Sequence, residues 1–162
     1  DTAVKLAQKY NGNIKKAKLA GLVHDCAKKL SDEKIVEICT QNGYKLDDIA
    51  LKNPSLFHGL AGRIIAQNLM GIEDEEVLNA VEFHTTGKVN MSLLEKIIYI
   101  ADYIEPTRDF SGVDKLRKSA FENLDDALLL AFDNTIKFVI DKKGFLHHNT
   151  IDARNYLISQ RK

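Results

Sequence analysis

His24 and Asp25 stand side by side in the run Ala20-Gly21-Leu22-Val23-His24-Asp25-Cys26-Ala27, which is otherwise apolar. Apolarity almost all round predicts a helix buried on most sides. A carboxylate buried there is costly unless positive charge or hydrogen bonds compensate it. Adjacent residues on a helix diverge by about 100°, so this pair is not expected to satisfy itself. A divalent metal would supply the charge; separate polar partners for each side chain would serve as well.

Asp102 repeats the pattern. Ile98 precedes it by one helical turn and Leu94 by two, so a second carboxylate sits on an apolar stripe directed at the core. His58 and His84 are isolated histidines near apolar helix faces, and taken singly each could be an ordinary core or surface residue. Imidazole together with carboxylate suits iron, manganese, cobalt or zinc better than magnesium or calcium. His84 closes its helix beside Thr85-Thr86-Gly87, and His58 lies in a first turn, where the helix dipole favours an anion. Either histidine could contact a phosphate, protonate a leaving oxygen or ligate a second metal. Lys28 follows Asp25 by one turn, and Arg108 lies in the loop after Pro106. Both are suited to phosphate, arginine bidentately and lysine as a point charge, or are solvated surface charges. The stretch Phe145-Leu146-His147-His148-Asn149-Thr150 leads into a helix, where its polar groups could hold a nucleotide or cap the helix.

These residues need a scaffold, and the sequence predicts an all-helical one. Strand-like alternation is absent, and the two prolines fall at Pro54 and Pro106. Helices are expected from the start to Tyr10, from Asn13 to Lys28 or Lys29, and from Ser31 to Asn42-Gly43. A short piece covers Leu46 to Leu51, and another helix runs from Pro54-Ser55 to Gly71. Asp74 opens one that ends around His84, and Ser92 and Glu95 form a capping box for one that Pro106 ends. Asn123 or Asp125 opens a long helix that stops at Lys142-Lys143-Gly144, and Thr150 caps a last one through Leu157.

The 162 residues suit one domain, and 23 basic against 23 acidic residues leave no global field for a nucleic-acid polymer or an anionic membrane. Anions must therefore be held by a local site. No stretch is long and apolar enough to span a membrane, and no signal peptide is visible. Cys26 and Cys39 form no C-x-x-C motif, which predicts two buried thiols in a reducing cytosol. A homodimer is compatible with the sequence.

Four segments in order narrow the reading: His24-Asp25-Cys26-Ala27-Lys28, Glu82 to Gly87 (EFHTTG), Ala101 to Arg108 (ADYIEPTR) and His148 to Asn155 (HNTIDARN). Together with His58 they resemble the HD superfamily of metal-dependent phosphohydrolases, and within it the YqeK-type symmetrical bis(5′-nucleosyl)-tetraphosphatases. The resemblance runs over nearly the whole chain. It implies an HD-domain helical bundle over residues 1–162 that binds iron (manganese or cobalt being alternatives) and splits diadenosine tetraphosphate into two ADP. By motif match, His24, Asp25 and Asp102 would be metal ligands, and Lys28, His58 and His84 catalytic. Asp25, Cys26, Ala27, Lys28, His58, His84, Thr85, Arg108 and Phe145, Leu146, His147, His148, Asn149 and Thr150 would face the nucleotide. The implied mechanism is attack of a metal-bound hydroxide on phosphorus. The superfamily also carries a metal-binding histidine on its first helix, upstream of the Asp-Thr-Ala segment. This chain starts at Asp1-Thr2-Ala3, so the expectation is that the N-terminal part of that helix is missing. Competing readings are an HD-type nucleoside monophosphate phosphatase and a catalytically silent nucleotide-sensing HD module. A cyclic-dinucleotide enzyme is disfavoured because no Gly-Tyr-Pro motif occurs.

Overall fold

In the computed structural model, which describes residues 1–161, every regular element among the described residues is helical. The order is α1 (Thr2–Lys9), α2 (Ile14–Val23), α3 (Asp32–Gln41), α4 (Asp48–Lys52), a 3-10 turn (Pro54–Phe57), α5 (His58–Asn68), α6 (Glu75–Glu82), α7 (Leu93–Tyr103), α8 (Val113–Glu122), α9 (Leu124–Asp141) and α10 (His148–Ser159). Most starts are set by a short polar side chain that accepts from a free first-turn N–H: Asn13, Ser31, Asp47, Asp74, Ser92 and Asn123.

α7 is the centre of the bundle. Leu94, Ile97, Ile98, Tyr99, Ile100 and Ala101 are all buried, and α1, α2, α6 and α9 pack around them. Phe132 of α9 lies fully buried against Tyr99, with ring centroids 4.8 Å apart. A smaller apolar cluster of Ala27, Ile35, Cys39, Leu60, Ala61 and Ile64 joins α3 to α5. The Ser92–Glu95 capping box is complete, and the buried Glu95 carboxylate also meets Lys88 at 2.8 Å. Ser92→Ala should cost about 1 kcal/mol and lower Tm by roughly 2–4 °C. An unchanged Tm by calorimetry would show that the cap contributes nothing.

Several expectations are corrected. α2 stops at Val23, and residues 24–29 form a series of tight turns in which Cys26, Lys28 and Leu30 donate to the carbonyls three residues earlier. The segment is apolar because α5 covers part of it: a Cβ at Gly62 would lie 3.4 Å from Cys26 Sγ and 3.5 Å from the His24 carbonyl. Leu22 and Cys26 are exposed, so the helix is not buried on most sides and only Cys39 is a buried thiol. α8 was not anticipated; it opens from Gly112 in the left-handed region (φ 91°), with no capping side chain to announce it. α10 is capped by His147, whose Nδ1 accepts from the Asn149 N–H, whereas Thr150 lies inside the helix.

Candidate active site

Four helix ends meet in one place. His24 caps the C-terminus of α2 and Asp25 follows it; His58 is the first residue of α5; His84 lies just past α6; Asp102 is in the last turn of α7. Around the Asp25 carboxylate, the Nε2 atoms of His58, His84 and His24 lie at 3.2, 3.4 and 3.5 Å. His24 Nε2 is also 3.6 Å from Asp102. His24 and Asp25 do face each other, because the helix has already ended between them.

Each ring is oriented by its own backbone. The Nδ1 atoms of His24, His58 and His84 donate to the carbonyls of Gly21, Ser55 and Val81, each three residues earlier, at 3.0, 2.8 and 2.6 Å. A carbonyl only accepts, so each Nδ1 carries the ring proton and each neutral ring turns the Nε2 lone pair inward. The Nε2 atoms of His58 and His84 then face each other at 3.0 Å. Two lone pairs that close repel unless positive charge enters, as a shared proton or as a cation among the rings and carboxylates. Backbone-anchored imidazoles with an inward lone pair are the arrangement metal-ligating histidines adopt. Single ligand atoms of His24, Asp25 and His84 lie within 4.8 Å of one another, so the residues present fit a divalent metal.

The electrostatics agree. Burial pushes the Asp25 pKa up, but the close approach of His58, His84 and Lys28 outweighs it and holds the carboxyl well below the usual carboxylate range. Asp102 is likewise resisted by burial and brought down to about 2 by His24 and Arg108. Burial lowers the pKa of His84 and so favours the neutral ring. His24 is raised despite its burial by Asp102 and Asp25, the same anionic pull that would hold a cation.

His24, Asp25 and Asp102, together with Lys28 and Arg108, line a cleft of about 770 Å³, whereas the buried His58 and His84 are not among its lining residues. Lys28 Nζ is 2.7 Å from Asp25, and Arg108 Nη2 reaches both Asp102 oxygens at 3.1 and 3.2 Å. Asp102, with a side chain 19 % exposed, thus faces the cleft rather than the core interior. Glu105, Thr107 and Asp109 also line it; the sequence marks this loop as polar but does not single them out.

The remaining expected nucleotide contacts lie elsewhere. Ala27 is buried, Cys26 Sγ points to the Gly62 carbonyl, and Thr85 donates to the Leu56 carbonyl at 3.0 Å. None of residues 145–150 lines the cleft. Phe145 is exposed beneath Lys52, Leu146 is half-buried, Asn149 lines a small pocket with Thr85, and Thr150 donates to the Thr86 carbonyl. His147 is buried edge-on to Phe57, and Asp47 sits 3.1 Å from its Nε2 and 3.6 Å from His148 Nδ1. Asp47 went unnoticed because a helix-capping aspartate carries no other signal. Since His147 Nδ1 accepts from Asn149, its proton is on Nε2 and is donated to Asp47.

The HD domain model matches residues 1–107. The chain belongs to the HD domain family. Its likeness to relatives covers essentially all of it. It is 40 % identical over 162 residues (100 % of this chain, 86 % of the relative) to the symmetrical bis(5′-nucleosyl)-tetraphosphatase of Halalkalibacterium halodurans. It is 38 % identical to the enzyme of the same name from Bacillus subtilis, over 98 % of this chain and 85 % of that one. The crystal structure of an HD superfamily hydrolase from Clostridium acetobutylicum, described as involved in NAD metabolism, superposes with a TM-score of 0.98. The identity is 70 %, covering 99 % of this chain and 85 % of the other. The expected all-α HD fold and the resemblance to symmetrical tetraphosphatases are both borne out. No helix among the described residues is long and apolar enough to cross a membrane.

Proposed function

We propose that this chain is a metal-dependent hydrolase that splits diadenosine tetraphosphate symmetrically into two ADP. The observation that carries the reading is the convergence of three inward Nε2 lone pairs and two carboxylates, of which His24, Asp25 and Asp102 line a cleft that also presents Lys28 and Arg108. The names of the full-length relatives supply the substrate.

His24, Asp25 and Asp102 would hold the ion, with His84 gathered close enough to add a further ligand; iron is proposed, with manganese or cobalt as substitutes, and it would supply Lewis acidity to a phosphoryl oxygen and to water. The protein does the rest. The cleft, about 770 Å³, is in the range of small-molecule sites, about 300–1,000 Å³. Lys28 and Arg108, now paired with carboxylates, exchange those partners for phosphate oxygens and offset the charge that develops there. Water adds to an inner phosphorus, the bond to the central bridging oxygen breaks, and ADP leaves. His58, anchored through Nδ1, accepts on its Nε2 lone pair the proton that the attacking water gives up, and can return it to the leaving ADP oxygen.

Chromatography of the products decides. ADP alone is expected from diadenosine tetraphosphate. ATP plus AMP would refute symmetrical cleavage, faster phosphate release from AMP would make the protein a nucleoside monophosphatase, and binding without turnover would make it a sensing module. Arg108→Ala removes a charge-assisted contact worth about 1.5–3 kcal/mol, so turnover should fall about tenfold to a hundredfold with metal content retained. Loss of metal in that variant would place Arg108 among the groups that hold the ion.

A further inference from the structure

We infer that Arg63 is a positioning residue for this site: it clamps α5 to α6 and so sets the spacing of the His58 and His84 rings about Asp25. Arg63 is on α5, the helix that His58 begins, and its three partners are on α6, the helix that His84 follows. Nη1 donates to Asn79 at 2.7 Å and lies 3.3 Å from Glu82, while Nη2 donates to Glu75 at 2.7 Å. Glu75, Asn79 and Glu82 recur at one-turn spacing, so a single guanidinium spans one face of α6 along its length. The Arg63 side chain is only 12 % exposed, and its Nε is buried without a partner. Burying an arginine with an unsatisfied nitrogen is costly; the two terminal nitrogens, which tie the helices together, are what the arrangement keeps.

The contact between these helices falls on the atoms that aim the rings. Gly59 comes directly after His58. A Cβ there would overlap the Glu82 carbonyl oxygen and come within 3.0 Å of the Val81 carbonyl oxygen. That Val81 oxygen is the acceptor that orients His84 through Nδ1. α5 therefore rests on the backbone that aims His84 while its own first residue supplies the opposing ring. A small shift of α5 along or away from α6 changes the 3.0 Å separation of the two Nε2 atoms and their approach to Asp25. Fixing that shift calls for a planar fork that reaches several acceptors at once, which lysine cannot provide.

The inference rests on the metal-dependent reading of the site, but its test does not depend on the substrate. Co²⁺ would be titrated into the full chain and followed by visible absorption, with Tm measured on the same samples. Arg63→Ala and Gly59→Ala should each weaken Co²⁺ binding by about tenfold to a hundredfold, the range for loss of groups that orient ligands, and change the shape of the absorption band. Arg63→Lys should fold even where alanine does not, yet recover only part of the affinity. In a His84→Ala background the effect of Arg63→Ala on Co²⁺ should largely vanish, because the clamp acts through that ring. A lowered Tm with unchanged Co²⁺ affinity and spectrum in the folded variants would make Arg63 merely structural and overturn the inference. So would effects that add with His84→Ala, or a wild-type protein that takes up no Co²⁺. A protein that shows the predicted Co²⁺ behaviour but leaves diadenosine tetraphosphate intact would refute the substrate assignment and leave the clamp standing.

Discussion

Asp25→Ala should remove bound metal and lower turnover by about a thousandfold or more, some 4 kcal/mol of lost transition-state stabilisation. Asp25 is the anion on which the site is organised. Three imidazole Nε2 atoms lie within 3.2–3.5 Å of it and Lys28 within 2.7 Å. Without it, His58 and His84 still face each other at 3.0 Å, because their rings are tied to Ser55 and Val81 and not to Asp25. A divalent ion would then meet neutral nitrogens and a lysine with Asp102, already paired to Arg108, as the one carboxylate left to balance it. Asp25→Asn, which keeps the shape and loses the charge, should lose metal as well. Elemental analysis showing normal metal in both variants would mean that Asp102 and the histidines suffice, and would remove Asp25 from the ligand set.

Phe132→Ala should be the most damaging of the core substitutions. The ring is fully buried in the middle of α9, stacks at a tilt on Tyr99 of the central helix, and occupies the space left by Gly87. Gly87 adopts φ 68°, and a Cβ there would lie 2.7 Å from the Phe132 ring, so the turn after His84 is moulded on this side chain. Truncation leaves a cavity that α7 and the turn at Gly87 cannot both close, costing about 3–5 kcal/mol. That is a large part of the roughly 5–15 kcal/mol that holds a domain together. Calorimetry should show Tm lower by roughly 10–15 °C. A fall of only a few degrees would show that the core relaxes into the gap.

The helices were legible where side chains announce them. Asn13, Ser31, Asp74, Ser92 and Asn123 each cap a helix that begins where the sequence places it. α8 was hidden because a glycine with a left-handed backbone opens it. The convergence of His24, Asp25, His58, His84 and Asp102 was foreseen from isolated polar residues in apolar settings and from resemblance. The reason His24 can face Asp25 was not, since it depends on α2 ending at Val23, with α5 packed close to the turns that follow. Arg63 was invisible as well. An arginine four residues after a glycine is an ordinary surface pattern until Glu75, Asn79 and Glu82 are seen opposite it.

His147 holds its proton on the nitrogen opposite to the one protonated in His24, His58 and His84. One of its nitrogens caps α10 and the other gives its hydrogen to Asp47, so the ring has no free electron pair to offer. The group Asp47, His147 and His148 has the same kinds of residue as His24, Asp25 and His84, and its atoms are gathered just as closely. To coordinate an ion through Nε2, His147 would have to move its proton to Nδ1 and surrender the start of the last helix. Tautomer, and not composition, thus sets these two gatherings of histidine and aspartate apart as candidate ligand sets.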